Sequence, residues 1–353
     1  MIFGLSFNAY SASVSAKSAC AIESSSKEVY FEKNSNEKMS MASTTKIMTA
    51  IIVIENSKLD DLIKIDSRSV GIEGSSIYLK EGECLSVEDL LYALLLESAN
   101  DASIALAIHC AGSVECFVDL MNKKTNELEL SNTHFTNPHG LYDENHYTTA
   151  HDLAKIALYA MNLPVFYDIV STYKKVILPN EENSRVLINH NKLLRTYDGA
   201  IGVKTGFTTN SGRCLVSCAE KDGARLVCVT LDAPNDWSDH TYMLNLGFTI
   251  YEGINLANCG DYVLDIPVIN GKKQSILCTN YDSLNATVKK ESKNISAEFE
   301  VNQLLCAPIK QGDLVGKIIF KNNDSQIAFL NLYALENVKA VNYKKSFFER
   351  IFG

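Results

Sequence analysis

The sequence predicts an α+β fold, in which an antiparallel sheet is flanked by helices and a small all-β domain follows. Three observations lead to this prediction. Apolar residues recur at helical spacing in several segments, and three strand-like segments between residues 201 and 231 are joined by polar turns, as in an antiparallel meander. From about Asn258 to about Val341, short Val, Ile and Leu runs alternate with Asn, Gly, Lys and Asp turns, and helix signals are few.

Residues 1–16 have the pattern of a secretory signal peptide. A mostly apolar run from Ile2 to Phe7 is followed by small residues that end in Val14-Ser15-Ala16 before Lys17, as at a signal-peptidase site. Because no Lys or Arg precedes the apolar run, the leader would be truncated at its start, and a disordered N-terminus is the alternative. We expect an exported protein that acts outside the cytoplasm.

The next elements surround a predicted helix that carries a serine and a lysine. Two short strands are predicted between Ala19 and Glu32, and the helix is predicted from about Thr44 to Glu55. Short strands and loops are expected from Leu62 to Leu85. Ser86 then caps a helix that has an acidic residue three positions on, and a second apolar helix, Ala102 to Ala111, follows after a polar turn.

Helices and strands complete the first domain. The predicted elements are a helix at 117–128, a loop at 136–141, a helix capped by Thr149, a strand at 201–207, a hairpin of 213–220 and 225–231, and a helix at about 237–251. We therefore expect a first domain at 17–257 and a β-rich domain at 258–341. The tail, 342–353, has aromatic residues on one helical side and basic residues toward the other, which is typical of a short membrane-surface anchor; a helix that packs on its own domain is the alternative.

Composition excludes several classes of protein. With a formal net charge of -9 we expect no nucleic-acid partner, because no basic surface is available to neutralise phosphates. No apolar run reaches about eighteen residues, so no membrane-spanning helix is predicted. None of the ten cysteines forms C-x-x-C, and no spacing suggests zinc. We expect no metal or cofactor, and we expect most cysteines to be small core residues, with disulfide pairing left open.

The predicted helix near Thr44 carries a candidate nucleophile. Ser43 and Lys46 are three residues apart, so on a helix they project from one face. A serine hydroxyl attacks at neutral pH only when a neighbouring base accepts its proton, and a lysine serves as that base when burial or nearby positive charge lowers its pKa. By itself, S-x-x-K occurs by chance in many proteins.

Two further motifs follow in order, Ser98-x-Asn100 and Lys204-Thr205-Gly206, and the three together form the signature set of serine penicillin-binding enzymes. With these motifs, and with the segments 42–50, 137–141 and 197–208, the chain resembles the low-molecular-mass penicillin-binding proteins, the serine-type D-Ala-D-Ala carboxypeptidases of the S11 kind. The resemblance covers about residues 18 to 255 and implies a penicillin-binding or β-lactamase-like transpeptidase domain.

The resemblance also implies roles for individual residues and a substrate, peptidoglycan stem peptides that end in D-Ala-D-Ala, with β-lactams as acylating inhibitors. Ser43 would be the nucleophile and Lys46 its base, with Ser98 passing a proton to the leaving amine and Asn100 bonding Lys46 and the substrate. The implied substrate-binding residues are Lys204 and Thr205 at the terminal carboxylate, Gly206 at the strand edge, Thr208 as an oxyanion donor beside Ser43, and His139, which either lines the site or holds its loop.

Two alternative functions follow from the same motifs. A class A β-lactamase would need a glutamate with an asparagine four residues later between the second and third motifs. No glutamate between Asp101 and Val203 meets this condition, which counts against efficient β-lactam hydrolysis. A penicillin sensor or a non-catalytic wall-binding module is the other alternative. A sensor should carry a membrane-spanning segment, and a module without activity would be expected to have lost a motif.

Overall fold

A computed structural model describes residues 14–177, 184–292, 294–301 and 305–341. The predicted tail lies outside these residues, and so does the predicted leader up to residue 13. The last leader residues are described: Val14 and Ala16 are buried, and the hydroxyl of Ser15 donates a hydrogen bond to Asp239 Oδ2 at 2.7 Å. These three residues therefore pack within the folded chain.

The chain forms two compact units. The described part of the first unit contains the residues before Ser24, together with Lys27–Glu220 and Arg225–Thr249. The second contains the chain from Ile250 onward and two turns, Ser24–Ser26 and Lys221–Ala224.

Both helices and strands occur along the chain up to residue 250. In chain order they are β1 Ser18–Glu23, β2 Val29–Lys33, α1 Lys46–Asn56, β3 Leu62–Lys64, β4 Cys84–Ser86, α2 Val87–Leu96, α3 Asn100–Ala111, α4 Val114–Glu127, α5 Ala150–Met161, α6 Pro164–Ser171, β5 Lys174–Ile177, β6 Arg185–Ile188, α7 Leu193–Thr196, β7 Ala200–Thr208, β8 Gly212–Lys221, β9 Ala224–Leu231 and α8 Asp236–Ile250. The helices α6 and α7 and the antiparallel pair β5–β6 were not predicted from the sequence.

The main sheet of the first unit has the strand order β2-β1-β9-β8-β7. The predicted meander is present as β7, β8 and β9, and the two N-terminal strands extend it, because β1 pairs antiparallel with β9 from Ser18 opposite Leu231 to Glu23 opposite Leu226. The strand β7, which carries the third motif, lies at one edge of the sheet. Its outer edge is therefore open to a neighbouring element.

Local sequence signals explain where the core helices begin. Ser86 caps α2, since its hydroxyl accepts a hydrogen bond from Asp89 N at 3.0 Å, and Thr149 caps α5 in the same way through Asp152 N. A 3-10 turn, Ala42–Thr45, precedes α1, which is buried from Lys46 to Val53. Because α1 lies in the apolar core of the first unit, its N-terminal end is held rigidly.

The second unit is built from strands and begins at Tyr251. Its strands are β10 Tyr251–Ala257, β11 Val263–Ile269, β12 Ser275–Thr279, β13 Leu284–Lys289, β14 Ile295–Val301, β15 Leu305–Cys306, β16 Leu314–Asn322 and β17 Ser325–Ala334. One sheet has the order β14-β16-β17-β12-β11-β15, and β10 pairs with β13. Apolar residues such as Ile276, Ile318 and Leu332 form its core.

The ten cysteines all fall in described segments and are free thiols. Five are buried and four are exposed, so core burial accounts for half of them. Among the described residues, no single helix is long and apolar enough to cross a membrane. Two pairs of consecutive helices have the required length and composition when the two helices of a pair are taken together, namely α3 with α4 and α5 with α6, and each pair is sharply bent.

Candidate active site

Ser43 and Lys46 lie where the N-terminal end of α1 meets the edge strand β7. Lys46 begins α1 and is fully buried, whereas Ser43 lies in the 3-10 turn and is partly exposed. The distance between Lys46 Nζ and Ser43 Oγ is 3.1 Å. The hydroxyl is therefore accessible to a reactant while its nearest basic group is shielded from water.

Lys46 Nζ contacts two carbonyl oxygens as well as the serine hydroxyl. It donates to Asn100 Oδ1 and to the backbone oxygen of His139, each at 2.6 Å. A carbonyl oxygen can only accept hydrogen bonds, so these two contacts use both N–H groups of a neutral amine. The remaining lone pair then faces Ser43 Oγ, and it can accept the hydroxyl proton.

The surroundings of Lys46 favour this neutral form. Burial lowers the pKa of Lys46 well below its ordinary value, because a charged ammonium loses its hydration in the interior. The positive charge of Lys204 lowers the pKa of Lys46 further, and Asp101 opposes both effects.

Asn100 is oriented by the segment that follows the 3-10 turn at residues 67–69. Its side-chain nitrogen donates to Glu73 O at 2.6 Å, and its backbone N–H donates to Ser75 O at 2.7 Å. Gly74 between them has φ +93°, and a Cβ there would lie 2.7 Å from Asn100 Nδ2. Because the amide nitrogen is held by Glu73, the amide oxygen faces Lys46.

From the sequence, Asp101 was expected only to cap a helix. In the structure its buried carboxylate also contacts a distant segment. It accepts hydrogen bonds from the hydroxyl of Ser76 at 2.6 Å and from the backbone N–H of Leu79 at 3.0 Å, as well as from its own helix at Ala102 N. Asp101 thus fixes the segment that orients Asn100. An acidic residue in a polar turn between two apolar helices was the available signal.

The third motif runs along β7 next to the nucleophile. A Cβ at Gly206 would lie 3.0 Å from Ser43 N, so glycine allows β7 and the 3-10 turn to approach closely. Lys204 is buried, its Nζ donates to Thr205 O at 3.0 Å, and burial lowers its pKa to about 7, opposed by the charge of Glu97. The hydroxyl of Thr208 accepts a hydrogen bond from Ser211 N and so takes part in the hairpin turn.

Ser98 and His139 border the site in different ways. Ser98 is buried between α2 and α3 with φ +61°, and in the described part of the chain no hydrogen bond joins it to Ser43 or Lys46. His139 reaches Lys46 through its backbone oxygen, while its ring Nδ1 accepts from Leu141 N at 3.2 Å. Burial lowers the pKa of His139 to about 3, so the ring is neutral and stabilises its own loop.

Comparison with known proteins shows which family this sequence resembles. The sequence profile of the D-alanyl-D-alanine carboxypeptidases, Peptidase_S11, matches residues 6–235, and that of the penicillin-binding protein 5 C-terminal domain matches residues 251–340. D-alanyl-D-alanine carboxypeptidase DacF of Bacillus subtilis is 33% identical over 348 residues, which cover 96% of this chain and 89% of the relative. DacC of Escherichia coli is 32% identical over 348 residues, which cover 93% of this chain and 85% of the relative.

Solved structures agree with this likeness. Penicillin-binding protein 5 from Haemophilus influenzae superposes with a TM-score of 0.67 at 28% identity, covering 93% of this chain and 98% of the other. A serine-to-alanine mutant of the Streptomyces K15 DD-transpeptidase gives 0.64 at 31% identity, covering 67% and 99%. PBP3 from Streptococcus pneumoniae, a peptidoglycan synthesis regulatory factor, gives 0.72 at 22% identity, covering 93% and 100%, which supports the fold alone.

Proposed function

This chain belongs to the D-alanyl-D-alanine carboxypeptidase family, and we propose that it removes the terminal D-alanine from peptidoglycan stem peptides through an acyl-enzyme on Ser43. The observation that carries the proposal is the arrangement around Lys46. Two carbonyl oxygens take up the N–H groups of this buried amine, at 2.6 Å each, and its third contact is Ser43 Oγ. This geometry supports Lys46 as the general base for Ser43.

The reaction begins with acylation. Ser43 Oγ attacks the carbonyl carbon between the two D-alanines while Lys46 Nζ accepts the hydroxyl proton. As the C–N bond breaks, the leaving amine takes up a proton, and Ser98, which lies in the turn just before Asn100, is the proposed carrier of that proton from Lys46. Water then hydrolyses the ester on Ser43, with Lys46 again as the base.

Backbone N–H groups stabilise the oxyanion in this proposal. The first donor is the backbone N–H of Ser43, whose nitrogen would lie 3.0 Å from a Cβ at Gly206 on β7. N–H groups of successive residues in a strand point to opposite edges, so one of Phe207 and Thr208 directs its N–H to the outer edge of β7. That group is the second donor; Thr208 is the residue expected from the sequence.

Lys204 and Thr205 are the proposed partners of the terminal carboxylate. A buried lysine with a pKa near 7 gains its proton readily when a carboxylate binds beside it, so substrate and proton bind together. A charge-assisted contact of this kind would select the free end of a stem peptide over its middle. A β-lactam presents a similar carboxylate and a strained amide, and it would acylate Ser43.

The decisive experiment measures release of D-alanine from diacetyl-lysyl-D-Ala-D-Ala by the purified chain and by Ser43→Ala. Release should be lost in Ser43→Ala and unchanged in Ser113→Ala, which removes a hydroxyl that caps α4. Unchanged release by Ser43→Ala would overturn the assignment. Fluorescent penicillin should form a lasting adduct with the wild type; rapid turnover of penicillin without an adduct would instead indicate a β-lactamase.

We also infer that the protein acts outside the cytoplasm, where peptidoglycan is cross-linked, and that the tail at 342–353 makes peripheral contact with the membrane surface. The support is the sequence pattern of the leader and of the tail. Removal of residues 342–353 should shift the protein from the membrane fraction to the soluble fraction, and unchanged partitioning would contradict the anchor.

A further inference from the structure

The residue immediately before the nucleophile has an unusual backbone conformation. Ala42 is fully buried and has φ +48°, a left-handed value that is uncommon for residues other than glycine. Its carbonyl oxygen accepts a hydrogen bond from the hydroxyl of Thr45 at 2.8 Å. A Cβ at Gly140 would lie 1.9 Å from this same oxygen, so glycine is required beside it. The hydroxyl of Thr45 and the backbone at Gly140 therefore both lie close to the carbonyl oxygen of Ala42.

The side chain of Thr45 also forms a hydrogen bond with the buried histidine His146. The distance from Thr45 Oγ1 to His146 Nε2 is 2.7 Å, and His146 Nδ1 accepts a hydrogen bond from the backbone N–H of Thr136 at 3.0 Å. Since a backbone N–H only donates, Nδ1 carries no proton and Nε2 carries the ring hydrogen. Nε2 therefore donates to Thr45, whose own hydroxyl hydrogen is left to donate to Ala42 O.

These two hydrogen bonds, from His146 to Thr45 and from Thr45 to Ala42 O, fix the plane of the peptide between Ala42 and Ser43. In a trans peptide the carbonyl and the N–H point in opposite directions, so holding the oxygen of Ala42 also aims the N–H of Ser43. The nitrogen of Ser43 lies beside β7, since a Cβ at Gly206 would be 3.0 Å from it. Ser43 N–H is the first oxyanion donor in the proposed function.

We propose that His146 is a positioning residue, which acts through Thr45 to aim the N–H of Ser43 at the oxyanion that forms during acyl transfer. The inference rests on the proposed function and adds to it a residue of the loop before α5. Burial lowers the pKa of His146 to about 4, so the ring keeps the neutral form that this chain of hydrogen bonds needs at neutral pH. Donors that are already oriented act without reorganisation in the transition state.

The test uses paired substitutions in the full chain. Thr45→Val and His146→Leu remove the bonds, whereas Thr45→Ser and His146→Gln keep groups that can form them. Thr125→Val is the matched control, because it removes a buried hydroxyl that bonds a backbone carbonyl at Asn122, within α4. Each variant is assayed for kcat and KM on diacetyl-lysyl-D-Ala-D-Ala, and for affinity toward a boronic acid analogue of that peptide, which mimics the tetrahedral oxyanion.

Loss of an aimed oxyanion donor should lower kcat and leave KM within about twofold, because this donor acts mainly in the transition state. For Thr45→Val and His146→Leu we expect a decrease of about 10- to 100-fold in kcat, below the loss for removing such a donor outright, with a similar loss of affinity for the boronic acid. Thr45→Ser and His146→Gln should recover most of the activity, and Thr125→Val should keep all of it.

Three results would overturn the inference: kcat of Thr45→Val within twofold of wild type, a rise in KM that accounts for the whole defect, or equal defects in the serine and valine variants. If His146→Leu does not fold, the Thr45 pair decides the question, since valine keeps the size of the side chain and serine keeps its hydroxyl. Failure of the proposed function has a different signature, which is activity retained by Ser43→Ala.

Discussion

The two units of the chain bury different kinds of side chain. The first buries Lys46, Lys204 and Asp101, each charged or able to become charged. In the second, within the described residues, the buried polar side chains are uncharged, namely Thr279, Asn280 and Thr287. Its charged groups pair at the surface, as Lys321 does with Glu298.

The difference shows where the chain keeps its chemistry. Burial of a charged or ionisable group is unfavourable unless hydrogen bonds and partners offset it, so a fold with several such groups in one place has a functional reason for them. In the first unit Lys46, Lys204 and Asp101 belong to the surroundings of Ser43, whereas other buried groups have partners elsewhere, as Asp236 has in Arg213. The second unit has the burial pattern of a β-domain stabilised by apolar packing. Changes at buried lysines should therefore affect activity, whereas changes at surface lysines should not.

The largest effect that separates the two units is expected at Lys46. Lys46→Arg places a permanently charged guanidinium where a neutral amine must accept a proton. Acylation by fluorescent penicillin should slow by about 10²- to 10⁴-fold, the usual contribution of a general base. The matched control in the second unit is Lys321→Arg, which should acylate like the wild type. Labelling of Lys46→Arg within tenfold of wild type would contradict the role of this lysine as the base.

A smaller effect is expected from the titration of Lys204. A lysine whose pKa is lowered to about 7 is charged below that pH and neutral above it, so the free enzyme loses its carboxylate partner as pH rises. The value of kcat/KM, which reports ionisations of the free enzyme, should fall above pH 7 by up to about tenfold per pH unit. Lys204→Arg stays charged, and in that variant the fall should be absent or move to higher pH. An identical alkaline fall in both proteins would assign it to another group.

Much of this organisation could be predicted from the sequence because it depends on local signals. The caps at Ser86 and Thr149 and the meander of β7 to β9 are local patterns, and they are present in the structure. The α+β fold, predicted from apolar spacing and strand-like segments, and the family, inferred from the three motifs and the segments around them, are confirmed by matches over most of the chain. The roles of the individual site residues stay predictions.

The parts that could not be predicted depend on contacts between residues far apart in the chain. Asn100 is oriented by Glu73, 27 residues away, and Thr45 is hydrogen-bonded to His146, 101 residues away. No periodicity or turn signal encodes such pairs. The antiparallel pair β5–β6, which was not predicted, also depends on a long-range contact. Arg185 in β6 forms an ion pair with Glu83 in a distant loop. Sequence spacing indicates which residues share an element, and packing decides which elements meet.

The smallest effect concerns stability, and it again separates the two units, because all seven histidines precede residue 250. His240 is fully buried between Ser217 Oγ and Thr230 Oγ1, and burial lowers its pKa to about 3. In the unfolded chain the same group titrates near 6.5, so between these values the unfolded state binds more protons, and stability falls as pH falls. From pH 7 to pH 5 this group alone should lower the free energy of unfolding by about 1–2 kcal/mol.

The measurement is urea unfolding followed by fluorescence of Trp237, the single tryptophan, which lies in α8 of the first unit. His240→Gln keeps a polar side chain that does not titrate in this range, so its loss of stability from pH 7 to pH 5 should be smaller than that of the wild type. Hydrogen exchange in β16 and β17 of the second unit, corrected for intrinsic rates, should show no histidine-dependent loss. Equal acid sensitivity in wild type and His240→Gln would mean that other groups govern the first unit, and that buried histidines do not distinguish the two.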